Sequence, residues 1–312
     1  TTEIYTLSLH VALPVCYPLR TIFPPGHFYS PIVDPDSVKE YHQRSLQLKP
    51  SELEGIAISP EGMLEFWRAE IEIIKATSFP KQKEDSKRYH SEGGPFPYGD
   101  ALVLRAMIAH FKPKRIIEIG SGFSTACMLD AADEFGRQDL NITCIEPDPD
   151  RPNVRVWPRD LSRLTVIRDL VQNVPLSTFY SLEENDILFI DSTHVLKTGS
   201  DVHYELFQIL PGLKPGVLVH FHDCMYPFEY PAKWVFQRNY SWNEIYALRA
   251  FLMYNDRFRI FFWNSFFRRK FKTEIAEKFP NLLAENPGSS IWLRVYASAD
   301  PHGLAPYSAE NL

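Results

Sequence analysis

The sequence predicts an α/β fold: a doubly wound, mostly parallel seven-stranded sheet that follows an irregular and helical N-terminal extension. Short, continuous apolar runs alternate with helical patterns between residues 100 and 223, as they do where buried parallel strands are joined by helices. A glycine-bearing turn, Gly120-Ser121-Gly122, directly follows the first of these apolar runs. The chain of 312 residues is 45% hydrophobic and 23% charged, which is typical of a globular protein with a substantial core.

The first hundred residues differ in composition from the rest of the chain. Residues 1–60 are rich in proline and turn signals, which predict irregular structure with short helical pieces. Residues 63–79 have apolar positions at helical spacing and predict a helix. Residues 81–94 are charged and then glycine-rich, which predicts an exposed connection. We therefore predict an N-terminal extension over residues 1–94 that covers a pocket, and a main domain over residues 95–312.

The main domain alternates strands and helices. Its first helix is predicted over residues 100–111, with Asp100 as the N-cap. The predicted strands are the apolar runs 115–120, 141–147, 163–169, 185–194, 216–223, 258–263 and 290–296, and further helices are predicted at 124–136, 201–213 and 242–254. The β-α-β order predicts parallel pairing for the first five strands. The last two strands suit an antiparallel hairpin at one edge.

Charge and cysteine content exclude several classes of protein. The net charge is −6 with acids and bases interspersed, so we expect no nucleic-acid partner. The four cysteines lie far apart without a C-x-x-C pair, which argues against a structural zinc site or a disulfide framework and favours the reducing cytoplasm. The apolar stretch at residues 4–15 is broken by His10 and Pro14, so we expect no integral membrane contact.

The glycine turn marks the expected ligand site. In a doubly wound sheet, ligands bind beyond the carboxyl ends of the strands, at the switch point beside the first strand. The second strand ends at Glu146, where a carboxylate can accept hydrogen bonds from both hydroxyls of a ribose. Position 125 is threonine, where a dinucleotide fingerprint has its third glycine. A nucleoside without a pyrophosphate is therefore favoured, and a plain strand-to-helix turn is the alternative.

The stretch EIGSGFST at 118–125, the acid Glu146 and the strand order resemble the class I S-adenosylmethionine-dependent methyltransferases over residues 95–300. The resemblance implies a Rossmann-like methyltransferase fold and S-adenosyl-L-methionine as the cofactor. It implies that Glu118 positions the glycine loop, that Glu146 holds the ribose, and that Asp169 and Leu170 lie near the adenine. The complete set of cofactor residues implied in this way is Glu118, Gly120, Ser121, Gly122, Ser124, Glu146, Pro147, Asp169 and Asp191.

Titratable side chains follow the fourth and fifth predicted strands. Asp191 and His194 come after the fourth strand, and His222 and Asp223 end the fifth. Because the tips of neighbouring parallel strands converge, these four groups should gather at the rim of the pocket. His220 should share the face of His222, about 7 Å deeper. Methyl transfer to a hydroxyl requires removal of its proton, and His222 is the candidate general base, oriented by Asp223 or Asp191.

A metal site at the same residues is the second interpretation. The arrangement is similar to the metal-assisted O-methyltransferases, in which an acid after the fourth strand and an acid pair after the fifth hold a cation such as Mg²⁺. His222 stands where the first acid of that pair would be. Asp191, His222 and Asp223 would suit Mn²⁺, Fe²⁺ or Zn²⁺ better than Mg²⁺. Both interpretations stay open, with a slight preference for the base, and a purely structural role in which the histidines cap strand ends is the third alternative.

Aromatic residues after Asp223 predict an acceptor wall or lid, with Tyr230 and Trp242 as its candidates. Tyr98 and Asp100 are the candidates from the N-terminal side. The resemblance implies O-methylation of a hydroxyl on a small metabolite or a sugar- or glycan-related acceptor. Packing of an exposed sheet edge is the alternative for each of these residues. The oligomeric state is left open, a homo-oligomer included.

Residues 259–271, RIFFWNSFFRRKF, are apolar and then basic. They predict an edge strand followed by solvated charges, with a membrane-surface patch as the alternative.

Two rival functions remain beside methyl transfer. A nicotinamide-dependent oxidoreductase is opposed by Thr125 and by the lack of a downstream Tyr-x-x-x-Lys pair, and a non-catalytic ligand-binding protein of the same fold is opposed by the clustered titratable groups.

Overall fold

The computed structural model describes residues 22–148 and 156–297. The chain divides into two compact units, Thr1–His42 with Pro231–Ser241, and Gln43–Tyr230 with Trp242–Leu312. In the smaller unit, the Val33 amide donates to Ser241 Oγ at 3.1 Å. The larger unit contains the sheet and the candidate site. Residues 43–94 belong to the larger unit, and the division at residue 94 stays a prediction.

The larger unit contains one sheet with seven strands among its described residues. The strands are β1 (Arg115–Ile119), β2 (Asn141–Ile145), β3 (Leu164–Ile167), β4 (Ile187–Ile190), β5 (Leu218–Phe221), β6 (Phe258–Trp263) and β7 (Ile291–Val295). Their order across the sheet is β3-β2-β1-β4-β5-β7-β6. The first five strands pair in parallel, and β7 pairs antiparallel with both β5 and β6. This arrangement confirms the predicted mostly parallel, doubly wound sheet with a terminal hairpin.

The described helices surround and connect these strands. They are α1 (Lys39–Ser45), α2 (Pro60–Ala69), α3 (Ile71–Lys75), α4 (Tyr98–Phe111), α5 (Phe123–Glu134), α6 (Leu176–Phe179), α7 (Asp201–Tyr204), α8 (Glu244–Leu252), α9 (Asn264–Lys270), α10 (Lys272–Lys278) and α11 (Asn281–Ala284). The helix predicted at 63–79 is divided into α2 and α3 at Glu70. The helix predicted at 201–213 is α7 followed by a π-helical turn at Glu205–Ile209 and a 3₁₀ turn at Leu210–Gly212.

The core surrounds the central strands. Every residue of β4 and β5 is buried, as expected for parallel strands that helices cover on both faces. Helix α4 is also buried on nearly all sides, so its apolar residues form no single stripe. Its buried Arg105 bonds with Glu134 of α5 and donates to Thr77 Oγ1 at 2.8 Å. These bonds satisfy a charge that would otherwise be costly inside the core.

Three predictions about local structure need correction or completion. Helix α4 begins at Tyr98 with Pro97 as its N-cap, so Asp100 lies in the first turn instead of capping it. Strand β6 lies at the edge of the sheet and Arg269 and Lys270 after it are exposed, as predicted, but residues 264–270 also form helix α9, which was not predicted. The segment 81–94 is not exposed throughout, because Arg88 is buried.

Candidate active site

The glycine turn after β1 contains two glycines in different surroundings. Gly120 has φ +103°, and a Cβ there would lie 2.6 Å from the carbonyl oxygen of Asp191. Both the backbone conformation and the space therefore require glycine at this position. A Cβ on Gly122 would meet no heavy atom within 4 Å. Gly122 thus borders open space, and its contact with a ligand stays a prediction.

Glu118 holds the glycine turn from below. Its buried carboxylate accepts hydrogen bonds from the hydroxyls of Ser124 and Thr125 and from Cys144 Sγ, the last at 3.2 Å. The Gly122 amide donates to Thr125 Oγ1 at 3.0 Å. Burial raises the pKa of Glu118 to about 7, although these hydrogen bonds oppose the shift. The carboxylate and both hydroxyls fix the start of α5 and with it the shape of the turn.

A cavity of about 400 Å³ opens at the carboxyl ends of β1, β2 and β4. Its lining includes the predicted residues Gly120, Glu146, Pro147, Leu170 and Asp191. The size lies in the range of small-molecule sites. The lining also includes Gln172, Ser192, Thr193, Lys197 and Asp201. Sequence analysis missed these residues, although most of them lie in the polar loop directly after β4.

Two predicted cofactor residues have other partners nearby. The Asp169 carboxylate accepts from the Leu170 amide and from Asn173 Nδ2, both at 2.7 Å. Asp169 therefore bonds to residues at both ends of the short segment Leu170–Asn173, and of the pair Asp169 and Leu170 it is Leu170 that lines the cavity. Ser121 Oγ lies 3.5 Å from Glu146 Oε2, which connects the turn to the acid at the end of β2.

The four titratable groups predicted at the strand tips lie together. His194 Nε2 is 3.7 Å from Asp191 Oδ1 and 3.7 Å from Asp223 Oδ2. His222 Nε2 is 3.7 Å from Asp223 Oδ1. His220 stacks on Phe189 at 3.7 Å and lies 5.8 Å from His222, between ring centroids. The cluster joins the cofactor-side cavity at Asp191, which belongs to both.

His194 is held as a cation by its surroundings. Its Nδ1 is 2.7 Å from Glu244 Oε2, and its carbonyl accepts the amides of Asn243 and Glu244 at 3.1 and 3.2 Å. Burial opposes the charged form, but Glu244, Asp191 and Asp223 together raise the pKa of His194 to about 9. Glu244 was not among the predicted site residues. It lies in the aromatic segment after Asp223, where spacing alone does not reveal a partner fifty residues away.

His222 has unused hydrogen-bonding capacity, as does the deeper His220, whose two ring nitrogens are buried without a hydrogen-bond partner among the described residues. Only 4% of the His222 surface is exposed, and its Nδ1 is buried without a hydrogen-bond partner among residues 22–148 and 156–297. Burial lowers the pKa of His222, but the carboxylates of Asp223, Asp191 and Asp100 outweigh this effect and raise it above the ordinary value. The nearest contact of Nδ1 to a carboxylate is 4.0 Å, to Asp100 Oδ2.

Asp100 supports the site from the core side. Its buried carboxylate accepts the amides of Ser289 and Ser290 at 3.0 Å and Asn264 Nδ2 at 2.9 Å. Ser289 in turn donates its hydroxyl to Asp223 Oδ1 at 2.7 Å. Burial raises the pKa of Asp100 despite these bonds. Asp100 therefore connects the start of α4 to the loop before β7 and to the residue that faces His222.

The three predicted aromatic acceptor residues differ in exposure. Trp242 is partly exposed and packs against the His194 ring in a tilted arrangement, with 4.5 Å between ring centroids. Tyr98 is partly exposed and packs against Phe79 at 5.4 Å. Tyr230 is buried, and its hydroxyl accepts the Ile245 amide at 3.3 Å. Trp242 lies directly at the titratable cluster, whereas Tyr230 forms part of the core behind it.

The cluster as arranged does not fit a metal ion. Within the described ranges, no three His, Cys, Asp or Glu side chains converge in a way that could hold one. The separations of 3.7 Å between the imidazoles and the carboxylates are those of loose ion pairs, and Glu244 engages the other nitrogen of His194. The predicted set Asp191, His222 and Asp223 therefore receives no support as a site for Mg²⁺, Mn²⁺ or Zn²⁺.

Comparisons with known proteins identify the family of the chain. A family model described as "Methyltransferase domain" matches residues 117–224, the span from β1 to the tip of β5. An uncharacterized protein of Archaeoglobus fulgidus is 34% identical over 172 residues, which are 53% of this chain and 76% of that protein. The chain belongs to the class I S-adenosylmethionine-dependent methyltransferases. The matched span of this methyltransferase contains the glycine turn, Glu146, Asp191, His222 and Asp223.

Solved methyltransferase structures are similar to this methyltransferase at low identity. The CmcI-N160 apo-structure is 17% identical with a TM-score of 0.39 and covers 78% of this chain and 88% of its own. The structure of Podospora anserina methyltransferase PaMTH1 with SAH bound is 16% identical with a TM-score of 0.39 and covers 89% and 100%. A methyltransferase from Geobacter sulfurreducens is 15% identical with a TM-score of 0.35 and covers 86% and 100%. Separately, none of the helices described for this methyltransferase has both the length and the apolar character that crossing a membrane requires.

Proposed function

We propose that this methyltransferase transfers a methyl group to a hydroxyl oxygen of a small acceptor, with His222 as the general base. The observation that carries the proposal is the position of His222. It is a buried imidazole at the tip of β5 with Nε2 3.7 Å from Asp223, in a cluster that shares Asp191 with the cavity beside the glycine turn. The acceptor class is a small metabolite or a sugar- or glycan-related molecule.

The cofactor residues proposed from the sequence fit an adenosyl group. The cavity beside Gly120 has a carboxylate at Glu146, which suits a ribose, and an apolar side chain at Leu170, which suits an adenine. The open space at Gly122 gives a ligand access to the backbone of the turn. When bound there, S-adenosylmethionine supplies a methyl carbon on a sulfonium sulfur, and the sulfur keeps the electron pair of the broken carbon–sulfur bond.

The chain's own task is to manage the acceptor proton. A hydroxyl is a poor nucleophile until its proton leaves, and an imidazole within reach removes it as the new oxygen–carbon bond forms. Neutral His222 takes that proton at a ring nitrogen and becomes an imidazolium that Asp223 stabilises. Proton, methyl group and electron pair are then all accounted for, and no further reactant is needed.

His194 and His222 have different proposed roles. With a pKa of about 9, His194 stays protonated near neutral pH and does not accept a proton. Its positive charge lies between Asp191 and Asp223, which would otherwise repel each other. We assign His194 to positioning those carboxylates and the adjacent Trp242, while His222 carries out the proton transfer.

The test begins with binding and then measures turnover. Chelator-treated protein is titrated calorimetrically with S-adenosylmethionine, S-adenosylhomocysteine and NAD⁺, and a panel of phenols and sugars is then screened with a labelled methyl donor. His222→Asn should bind S-adenosylhomocysteine like the wild type but lose roughly 100-fold or more in turnover. The control His203→Asn changes an exposed histidine and should keep both properties.

Three outcomes would contradict the proposal. Binding of NAD⁺ with no binding of either S-adenosyl ligand would remove the methyltransfer assignment. Full turnover by His222→Asn would remove the base. Turnover that chelation abolishes and that Mg²⁺, Mn²⁺ or Zn²⁺ restores would replace the base with the metal interpretation at Asp191, His222 and Asp223.

A further inference from the structure

A second cavity of about 450 Å³ lies on helices α9 and α10 and has a basic lining. Its lining residues are Ser265, Arg268, Arg269, Lys272, Leu283 and Pro287. Three of these six side chains are cationic and none is acidic, although the chain as a whole carries a net charge of −6. A group of cations without a lining carboxylate attracts an anion. None of the residues assigned to the proposed methyl transfer lines this cavity.

The strand register places this cavity at the catalytic edge of the sheet. Phe221, at the end of β5, pairs with Ile291 of β7, and Ile291 pairs with Trp263 at the end of β6. The residues that follow β6, Asn264 and Ser265, therefore emerge at the same edge as His222. The cofactor-side cavity lies at β1, β2 and β4 of this edge, and the basic cavity lies on the opposite side of His222.

Both walls of the basic cavity are continuous with residues that support the site. Asn264, which precedes the lining residue Ser265, donates to Asp100 Oδ1 at 2.9 Å. On the other wall, Ser289 follows the lining residue Pro287 by two positions and donates to Asp223 Oδ1 at 2.7 Å. The cavity and the proposed base thus share one rigid support.

The polar atoms of the lining have capacity left for a ligand. Arg268 Nη2 donates to the carbonyl of Leu283 at 2.9 Å, a neutral partner that fixes the guanidinium without neutralising its charge. Ser265 Oγ accepts the Tyr226 amide at 2.8 Å, which leaves its own proton free to donate. The Arg269 guanidinium lies 5.3 Å from the Tyr226 ring centroid, a stacking contact that orients it without neutralising it.

We infer that the basic cavity binds an anionic group of the acceptor, such as a phosphate, sulfate or carboxylate. The inference rests on the proposed function, because it requires the acceptor to bind at the edge of the sheet that carries His222, on the side formed by β5, β7 and β6. Guanidinium groups and an ammonium form charge-assisted hydrogen bonds with such oxyanions. The acceptor is therefore anionic, and the basic cavity selects it over neutral analogues.

A binding experiment tests the cavity without knowledge of the acceptor. Inorganic pyrophosphate is titrated into the full-length protein at low ionic strength, where charge interactions are least screened. Removing two charges in R269A/K272A should weaken pyrophosphate binding at least about tenfold. The matched control K270A/K278A removes two exposed lysines that do not line the cavity, and it should bind like the wild type. Arg269 and Lys272 are exposed as well, so the fold should persist in both variants.

A turnover experiment tests the link to the acceptor. Acceptors are compared in matched pairs, a phenol with and without a carboxylate and a sugar with and without a phosphate. The anionic member should show the lower KM, and R269A/K272A should raise that KM about tenfold while kcat and the neutral member stay unchanged. This pattern distinguishes acceptor recognition from an anion site that acts elsewhere.

The outcomes separate this inference from the proposed function. If S-adenosylhomocysteine binds but pyrophosphate does not, the inference of an anionic acceptor is contradicted and the proposed methyl transfer is not affected. If pyrophosphate binds and R269A/K272A leaves the KM of every acceptor unchanged, the cavity binds free anions alone and the inference falls as well. If S-adenosylhomocysteine does not bind at all, both the proposed methyl transfer and the inference of an anionic acceptor are contradicted.

Discussion

Gly120 and Gly122 stand two residues apart in one turn, yet the atoms around them constrain them differently. At Gly120, both a φ of +103° and the Asp191 carbonyl at 2.6 Å exclude a side chain. At Gly122, neither space nor a left-handed backbone excludes one. Substitution by alanine at each of the two positions can therefore separate an effect on folding from an effect on ligand binding.

We expect Gly120→Ala to destabilise the protein and Gly122→Ala to weaken cofactor binding. Strain at position 120 should cost about 1–3 kcal/mol, measured as the free energy of unfolding in urea. Gly122→Ala should unfold like the wild type, but its affinity for S-adenosylhomocysteine should fall because the new methyl group fills ligand space. Equal stability of the two variants, or unchanged affinity of Gly122→Ala, would contradict this assignment.

A second residue-scale prediction concerns the pH dependence of turnover. Because the base acts in its neutral form and the pKa of His222 is raised above the ordinary value, kcat/KM should rise with pH through an apparent pKa above about 6.5. Asp223→Asn removes a negative charge beside the ring, so the rising limb should move to lower pH. A limb that stays in place in Asp223→Asn would show that another group titrates.

The positions of single site residues were predictable to different degrees. Glu146 and Asp191 follow apolar strands, and in a parallel sheet the end of a strand determines which edge a residue reaches. Glu244 and Ser289 come from elements much later in the chain, and no spacing in the sequence connects them to His194 or Asp223. A hydrogen bond across 50 or 66 residues can be identified only from the packed structure.

The connection between α3 and α4 also has a contact that could not be predicted from the sequence. Its charged composition predicted exposure, yet Arg88 is fully buried between Asp130, Asp133 and Asp160. Its guanidinium also lies 3.6 Å from the centre of the Trp157 ring. One arginine thus fixes the connection to α5 and to the segment before β3. Composition describes the average residue of a segment and does not identify the one that is buried.

We expect Arg88→Met to cost about 3–5 kcal/mol of unfolding free energy, because it removes the buried guanidinium that pairs with Asp130 and Asp160 and leaves the buried Asp160 with Arg163 alone. Lys83→Met in the same connection changes an exposed residue and should change stability by less than about 0.5 kcal/mol. Urea unfolding followed by circular dichroism measures both variants. Similar losses in the two variants would mean that the connection is held by something other than Arg88.

The same ion cluster should govern stability in acid. Partial burial opposes ionisation of Asp133, but Arg163, Arg88 and Arg159 lower its pKa to about 2, from an ordinary value of 3.8. Its contribution is therefore complete above about pH 4 and is lost as the pH falls towards 2, since the unfolded chain binds the proton first. Unfolding free energies measured from pH 5 to pH 2 should decline, and Asp133→Asn should reduce that decline.

At the scale of the whole molecule, one edge of one sheet carries both ligand sides. The strand order β3-β2-β1-β4-β5-β7-β6 puts Glu146 after β2 and the basic cavity beside β6, with His222 between them. Five strand spacings separate β2 from β6, roughly 24 Å at about 4.8 Å each. The order of strands was predictable in outline from the β-α-β pattern. The helix that makes the cavity was not, because FFRRKF has no separate helical signature after its strand.

This distance predicts that the two ligand sides are energetically independent. Charges about 24 Å apart lie beyond the Debye length of about 10 Å at 0.1 M salt, so their direct coupling is largely screened. Glu146→Gln should weaken S-adenosylhomocysteine binding and leave pyrophosphate affinity unchanged, whereas R269A/K272A should do the reverse. In the combined variant, each ligand's loss should equal that of its own single-side variant within about 0.5 kcal/mol. Calorimetric titration of both ligands measures this, and a larger departure would mean that the glycine turn and the basic cavity communicate through the β4 and β5 tips.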